Sequence, residues 1–380
     1  MAVLPVLVAG CAQKADPGAR YANRPELTRS EAQEYADYLA GSWKDSVAAA
    51  TAGAFANKEL VRGEYTMKLA WTVFGEQPAD GRSLYISLHG GGGTAPEVND
   101  QQWDNQQKLY RPAEGVYLSP RAITNTWDLH FRPESDGFYE EIIRMMVARL
   151  GVNPDKVYVM GYSAGGDGVW RLAPRMADHW AAASMMAGHP GDVSLVNLRN
   201  LPFMIWCGAL DAAYERNLRC TERIAEMDAL QAEDPAGYIH EGHIVEGKEH
   251  WMDRVDTAAV AWMARYRRNP IPDKIVWRQE EECKPFFYWI GAPADELARG
   301  KEVRVSRSGN TIALEKCDYS SLTVYLNDAM ANLDQPVRVT MGDRVLFEGP
   351  VKRTPAEMRR TLRQRQDPSY LFPVRIEVSL

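Results

Sequence analysis

From about residue 62 the chain alternates short apolar runs with longer segments of helical spacing. The runs are 65–75 (YTMKLAWTVFG), 83–90 (SLYISLHG), 115–120 (GVYLSP), 156–163 (KVYVMGYS), 181–188 (AAASMMAG), 201–209 (LPFMIWCGA) and 238–247 (YIHEGHIVEG). Several are apolar throughout instead of alternating, the pattern of strands covered on both faces. Between them, residues 136–151, 167–180, 217–234 and 253–268 read as helices. Strands and helices in alternation predict an α/β fold, a mostly parallel sheet with helices on both faces.

The pattern changes on either side of this region. Residues 29–50 have helical spacing and good helix formers, with Ser30 as N-cap, and predict a helical arm. The proline pair in RRNPIPDK, 267–274, reads as a linker. Beyond it strands dominate, at 274–279, 286–291, 301–317, 321–328, 336–349 and 372–380, and only 354–366 looks helical. The turn signals SGN and GD inside alternating runs predict hairpins. The expected organisation is a tail and helical arm over 1–61, an α/β domain over 62–268 and a small antiparallel β domain over 269–380.

Composition narrows the class of partner. A net charge of −7, from 44 basic and 51 acidic residues, leaves no electrostatic footprint for nucleic acid. The five cysteines are scattered, and no CxxC pair suggests zinc. Cys283 and Cys317 are the one pair to test for a disulfide, and Cys207, inside an apolar run, is expected to be a buried free thiol. The opening segment MAVLPVLVAGC ends in Val8, Ala9, Gly10 and Cys11, which resembles a bacterial lipoprotein signal, although no basic residue precedes it. It predicts export to the periplasm, the exterior or a lipid anchor on Cys11, with the cytoplasm as the alternative. No later stretch approaches the roughly 20 apolar residues that span a bilayer.

Four motifs carry chemistry. Ser163 stands in Gly-Tyr-Ser-Ala-Gly between an apolar strand and a helical pattern. In that context the serine occupies a strained turn, and its small neighbours let the backbone pass close to sheet and helix while Oγ points outward. Earlier, His89 and four glycines close another strand. Acyl transfer develops negative charge on the substrate oxygen, which fixed N–H donors stabilise; Gly90, Gly91, Gly92 and Ala164 are the candidates. Asp211 follows the strand 201–209 and His250 follows 238–247, so the order is Ser163, Asp211, His250. In this template the serine attacks, the histidine relays the proton, and the aspartate orients the imidazole. Asp192 and Asp253 compete for the acid's role. His240 and His243 lie inside a predicted strand, and His189 is the second choice as base.

HGGGG, GYSAGG, GALD and GKEHW in this order resemble the α/β-hydrolases of the polyhydroxybutyrate depolymerase, feruloyl esterase and dienelactone hydrolase-like group. The resemblance covers about 62–268. It implies a serine ester hydrolase that needs no metal and no organic cofactor. Predicted loops on the same edge bring Trp103, Trp127, Tyr162, His189, Tyr214 and Trp251 forward as substrate-binding candidates, and Arg121 as a partner for an acidic group. Segment 189–200 is too short for a lid over a fatty chain, so the expected substrate is a short-acyl ester of a larger alcohol, polymers included. The rival readings are a serine peptidase of the same fold and a non-catalytic carbohydrate-binding protein; the oligomeric state stays open.

Overall fold

The computed structural model describes residues 17–380. The expectations resting on Val8 to Cys11 lie outside the described residues. An eight-stranded sheet is built from β1 (Glu59–Arg62), β2 (Tyr65–Phe74), β3 (Arg82–Leu88), β4 (Gly115–Pro120), β5 (Val152–Tyr162), β6 (Ala182–Met186), β7 (Phe203–Gly208) and β8 (His240–Val245). Their order is β1-β2-β4-β3-β5-β6-β7-β8. β2 runs antiparallel to both its neighbours, and every pair from β4 to β8 is parallel. This is the α/β arrangement, a mostly parallel sheet with helices, that the strand and helix pattern predicts. β3, β4, β6 and β7 are almost wholly buried, which is why their sequences do not alternate.

The helices are α1 (Pro17–Tyr21), α2 (Arg29–Ala50), α3 (Ala52–Asn57), α4 (Pro96–Gln106), α5 (Ser135–Leu150), α6 (Ala164–Arg175), α7 (Arg216–Glu233) and α8 (Ala258–Met263). The cap of α2 is Thr28, not Ser30: Thr28 and Glu31 form a reciprocal capping box. α4 corrects the loop expected at 99–110. It is polar on most faces, so periodicity does not mark it; Pro96 in the first turn and Glu97 beside it are its start signals. The helix expected over 253–268 shrinks to a short 3-10 turn and α8. Asp253 and Arg254 adopt positive φ before it, and the chain leaves the helix after it so that the Arg268 N–H bonds the Asp155 carbonyl.

Past the eight-stranded sheet come β9 (Lys274–Arg278), β10 (Phe286–Phe287), β11 (Ile290–Gly291), β12 (Glu302–Ser308), β13 (Thr311–Cys317), β14 (Ser321–Leu326), β15 (Val337–Met341), β16 (Arg344–Gly349), α9 (Pro355–Arg365) and β17 (Val374–Ser379). They form a five-stranded sheet, β16-β15-β13-β12-β9, and a four-stranded one, β10-β11-β14-β17. Both hairpins expected at SGN and GD are present, β12 with β13 and β15 with β16. One pair, β13 with β15, is parallel. Cys207, Cys220, Cys283 and Cys317 are free thiols.

A single buried apolar cluster runs from Tyr35 and Trp43 of α2 through Phe138 and Met146 of α5 to Trp277, Val324 and Ile376. The helical arm is tied to α9: the Trp43 indole N–H donates to Gln366 at 3.2 Å, and Arg359 donates to the Tyr35 hydroxyl at 2.8 Å. Among the described residues no helix is long and apolar enough to cross a membrane.

Candidate functional site

Ser163 sits where β5 passes into α6, with φ 58° and ψ −122°, a conformation that an L-residue holds only under constraint from its surroundings. The flanking glycines supply the space. A Cβ on Gly161 would run into the Gly165 backbone, and one on Gly165 into the Leu88 carbonyl. The turn is pinned by the Ser163 N–H, which donates to the Met186 carbonyl at 2.9 Å. Asp211 follows β7 and His250 follows β8, so all three residues lie at the C-terminal ends of strands of one sheet, where open α/β sheets place ligands.

The convergence is geometric as well as topological. The Ser163 hydroxyl lies 2.9 Å from His250 Nε2, and His250 Nδ1 lies 2.7 Å from Asp211 Oδ2. A carboxylate only accepts, so Nδ1 carries the proton and Nε2 is left to accept from the serine. Asp211 is 2% exposed, and its other oxygen receives Arg216 Nη1 at 3.4 Å. Both competing acids face elsewhere: Asp192 pairs with Arg171 and Arg299, and Asp253 pairs with Lys248. His240 bonds Asp228, and the His243 ring stacks on Trp206.

The glycine loop after β3 lies beside the serine; a Cβ on Gly90 would sit 3.3 Å from Ser163 Cβ. The Gly92 N–H is taken by Asn99 Oδ1 at 2.9 Å, which corrects its place among the oxyanion donors. Its role is conformational, at φ 81°. The N–H groups of Gly90 and Gly91 have no hydrogen-bond partner among the described residues, and that of Ala164 is a first-turn helix donor with none inside its helix. His89 is fully buried and holds the loop. Its Nε2 accepts the Ala122 N–H at 3.1 Å, so its Nδ1–H donates to the Gly90 carbonyl at 2.6 Å. Burial keeps it neutral, with its pKa down at about 4.

A cleft of about 460 Å³ contains Ser163 and His250 and is lined by Gly91, Gln102, Asn105 and Trp251 among others. A second hollow of about 290 Å³ holds Trp127, His189 and Tyr214. Trp103 lines neither: its indole N–H donates to the Ser119 carbonyl at 2.9 Å. Tyr162 borders the first cleft, but its hydroxyl is committed to the backbone, donating to the His250 carbonyl at 2.6 Å and accepting from the Met252 N–H at 3.1 Å. Arg121 is buried and spent on Asp100 and on the carbonyls of Ala122 and Thr124, so it faces no substrate.

Sequence reasoning missed Asn99, His130 and Asp167. Asn99 braces the glycine loop, and His130 Nε2 bonds the His89 carbonyl at 2.9 Å. Asp167, one turn along α6 from Ser163, is buried, which pushes its pKa up to about 6 against the opposing effect of the His189 N–H. Its position four residues after the serine, on the same helix face, was the available signal.

No family model matches the chain. A stretch of 119 residues is 32% identical to the candidate esterase NocK of Nocardia uniformis subsp. tsuyamanensis, taking in 29% of this chain and 33% of that protein. The chain thus spans about a third of the length of this relative. Solved structures similar to it include a thermostable esterase, at 18% identity over 55% of this chain and 62% of that one, with a TM-score of 0.44. Another is poly(aspartic acid) hydrolase-1 from Sphingomonas sp. KT-1, at 12% identity over 54% of this chain and 97% of that one, with a TM-score of 0.41. Thermogutta terrifontis esterase 2 is a third, at 18% identity over 55% and 91%, with a TM-score of 0.38.

Proposed function

We propose that the protein is a serine carboxylic ester hydrolase that works through an acyl-enzyme on Ser163. The observation that carries this reading is the unbroken chain from the Ser163 hydroxyl through His250 to Asp211, at 2.9 and 2.7 Å, opening into a cleft. His250 Nε2 takes the serine proton as Oγ attacks the ester carbonyl, and Asp211 stabilises the imidazolium that forms. The oxyanion is received by the free N–H groups of the Gly90–Gly91 turn and by Ala164. His250 then protonates the leaving alcohol, and water, deprotonated by the same imidazole, releases the acid.

The substrate in this reading is a short-acyl ester of a larger alcohol, with polysaccharide and polyester among the candidates. The wall of the cleft sets the amides of Gln102 and Asn105 beside Val98, Leu109 and Trp251, a mixed lining that suits a small acyl group better than a long apolar chain.

The test is hydrolysis of p-nitrophenyl esters from acetate to octanoate by the native protein and Ser163→Ala. Turnover should fall with acyl length, and the substitution should lower kcat by on the order of 10⁶. A native protein no faster than Ser163→Ala on every ester overturns the reading and directs attention to peptides and glycans.

A further inference from the structure

Two hollows open on the side of the fold that carries Ser163, and they share no lining residue. One holds the Ser163 hydroxyl itself. The other begins one helical turn away at Asp167, whose N–H bonds the Ser163 carbonyl at 3.0 Å. Its walls come from the loops that build the site. Trp127 borders the glycine loop, where its indole lies 3.7 Å from a Cβ position on Gly93, and Tyr214 lies three residues beyond Asp211. An ester bound at Ser163 extends acyl and alcohol parts in different directions, so it needs two places to hold them.

The polar groups of the second hollow are specific. Asp167 is 4% exposed; Oδ1 accepts the His189 N–H at 2.6 Å, and Oδ2 has no partner among the described residues. His189 Nδ1 accepts the Gly191 N–H at 3.0 Å, so the proton of the neutral ring is on Nε2, which also has no partner among the described residues. Burial, and then the charges of Arg216, Arg219, Arg171 and Arg223, hold His189 below its ordinary pKa and keep it in that neutral form. Arg171 is engaged by Asp192 at 2.9 Å and by Glu281 at 3.1 Å, so its charge is balanced. The hollow therefore offers one acceptor and one donor on neighbouring residues. At its mouth the exposed rings of Trp127 and Tyr214 stand 5.6 Å apart.

Arg171 is already paired and burial disfavours charge on Asp167, so the hollow presents no free charge for an ionic group to match. A neutral group that both donates and accepts, and that has C–H faces to lay against aromatic rings, satisfies every surface. We infer that this hollow is the subsite for the leaving alcohol and that Asp167 and His189 recognise hydroxyls of a neutral polyol there. The inference rests on the ester hydrolase reading of Ser163.

The test compares methyl 6-O-acetyl-glucoside with p-nitrophenyl acetate, in the native protein, Asp167→Asn and the exposed-site variant Trp127→Ala. The number read is the ratio of kcat/KM for the glucoside ester to that for the aryl ester. In both variants it should fall about tenfold or more, through KM. An unchanged ratio, whether both activities drop together or neither does, overturns the subsite. A native protein that hydrolyses neither ester defeats the ester hydrolase reading instead. Methyl glucoside titrated into Ser163→Ala then decides the subsite alone, by nuclear magnetic resonance line shifts that Asp167→Asn should abolish. Absence of shifts in Ser163→Ala overturns it.

Discussion

Tyr162 precedes the proposed nucleophile and holds the proposed base. Its hydroxyl satisfies both the His250 carbonyl and the Met252 N–H, so Ser163 and His250 are tied together by a second link besides their own hydrogen bond. Burial raises the pKa of this hydroxyl well above the ordinary tyrosine range, which keeps it a donor throughout the working range of an imidazole base. Tyr162→Phe should therefore lower kcat by about tenfold, the cost of one or two lost hydrogen bonds, while KM stays close to native. Steady-state kinetics on a p-nitrophenyl ester check this, and a fall confined to KM counts against it. Ser163, Asp211 and His250 were legible from sequence because each follows an apolar run. Asn99 and His130 were not, because they meet the glycine loop only after α4 and residues 121–133 fold against it. Nor was the duty of Tyr162, whose hydroxyl meets its backbone partners only when the segment after β8 folds over the end of β5.

At the level of elements, the strand-turn-helix of Ser163 works by close approach. Gly165 faces the Leu88 carbonyl of β3, and Gly166 faces the Met186 carbonyl and Gly188 after β6. α6 can thus start directly against the ends of two strands. Gly165→Ala inserts a methyl where the Leu88 carbonyl already is, and should destabilise the protein by about 1–3 kcal/mol. Thermal unfolding followed by circular dichroism measures this; an unchanged Tm would show that the turn has slack. Strands buried on both faces were readable because continuous apolar runs have few other uses. α4 was not, since a helix polar on most sides lacks the period that betrays one. The parallel pairing of β13 with β15 was equally hidden, because hairpin signals report only on strands adjacent in sequence.

Across the whole molecule, a buried set of charges joins parts of the chain that lie far apart. Arg268, 5% exposed, donates to Asp155 at 2.9 Å, to Asp367 at 2.7 Å and to the Asp178 carbonyl at 3.0 Å. Arg365 and His179 close on the Asp178 carboxylate at 2.7 and 2.9 Å. Burial works against that carboxylate, yet His179, Arg365 and Arg268 hold it well below the usual carboxylate range. A depressed folded pKa means that this stability is present above the unfolded value of about 3.9 and is lost as pH falls through the folded one. Arg268→Ala should cost about 3 kcal/mol by taking the buried counter-charge from the part-buried Asp155 and Asp367 carboxylates. Calorimetry at pH 7 tests it, and a change below 1 kcal/mol would show that water already serves these groups.

The same charges set an order on the making of the protein. Asp367 lies 99 residues beyond Arg268, while Asp155 lies 113 residues before it. A nascent chain on the ribosome finishes every strand of the eight-stranded sheet long before the last partner of Arg268 is synthesised. Until then an arginine meant for the interior has only part of its counter-charge, and the surface that α9 and β17 will cover stays open. Chaperones have their longest opportunity in that interval, and a chain cut off after residue 268 would remain in it permanently.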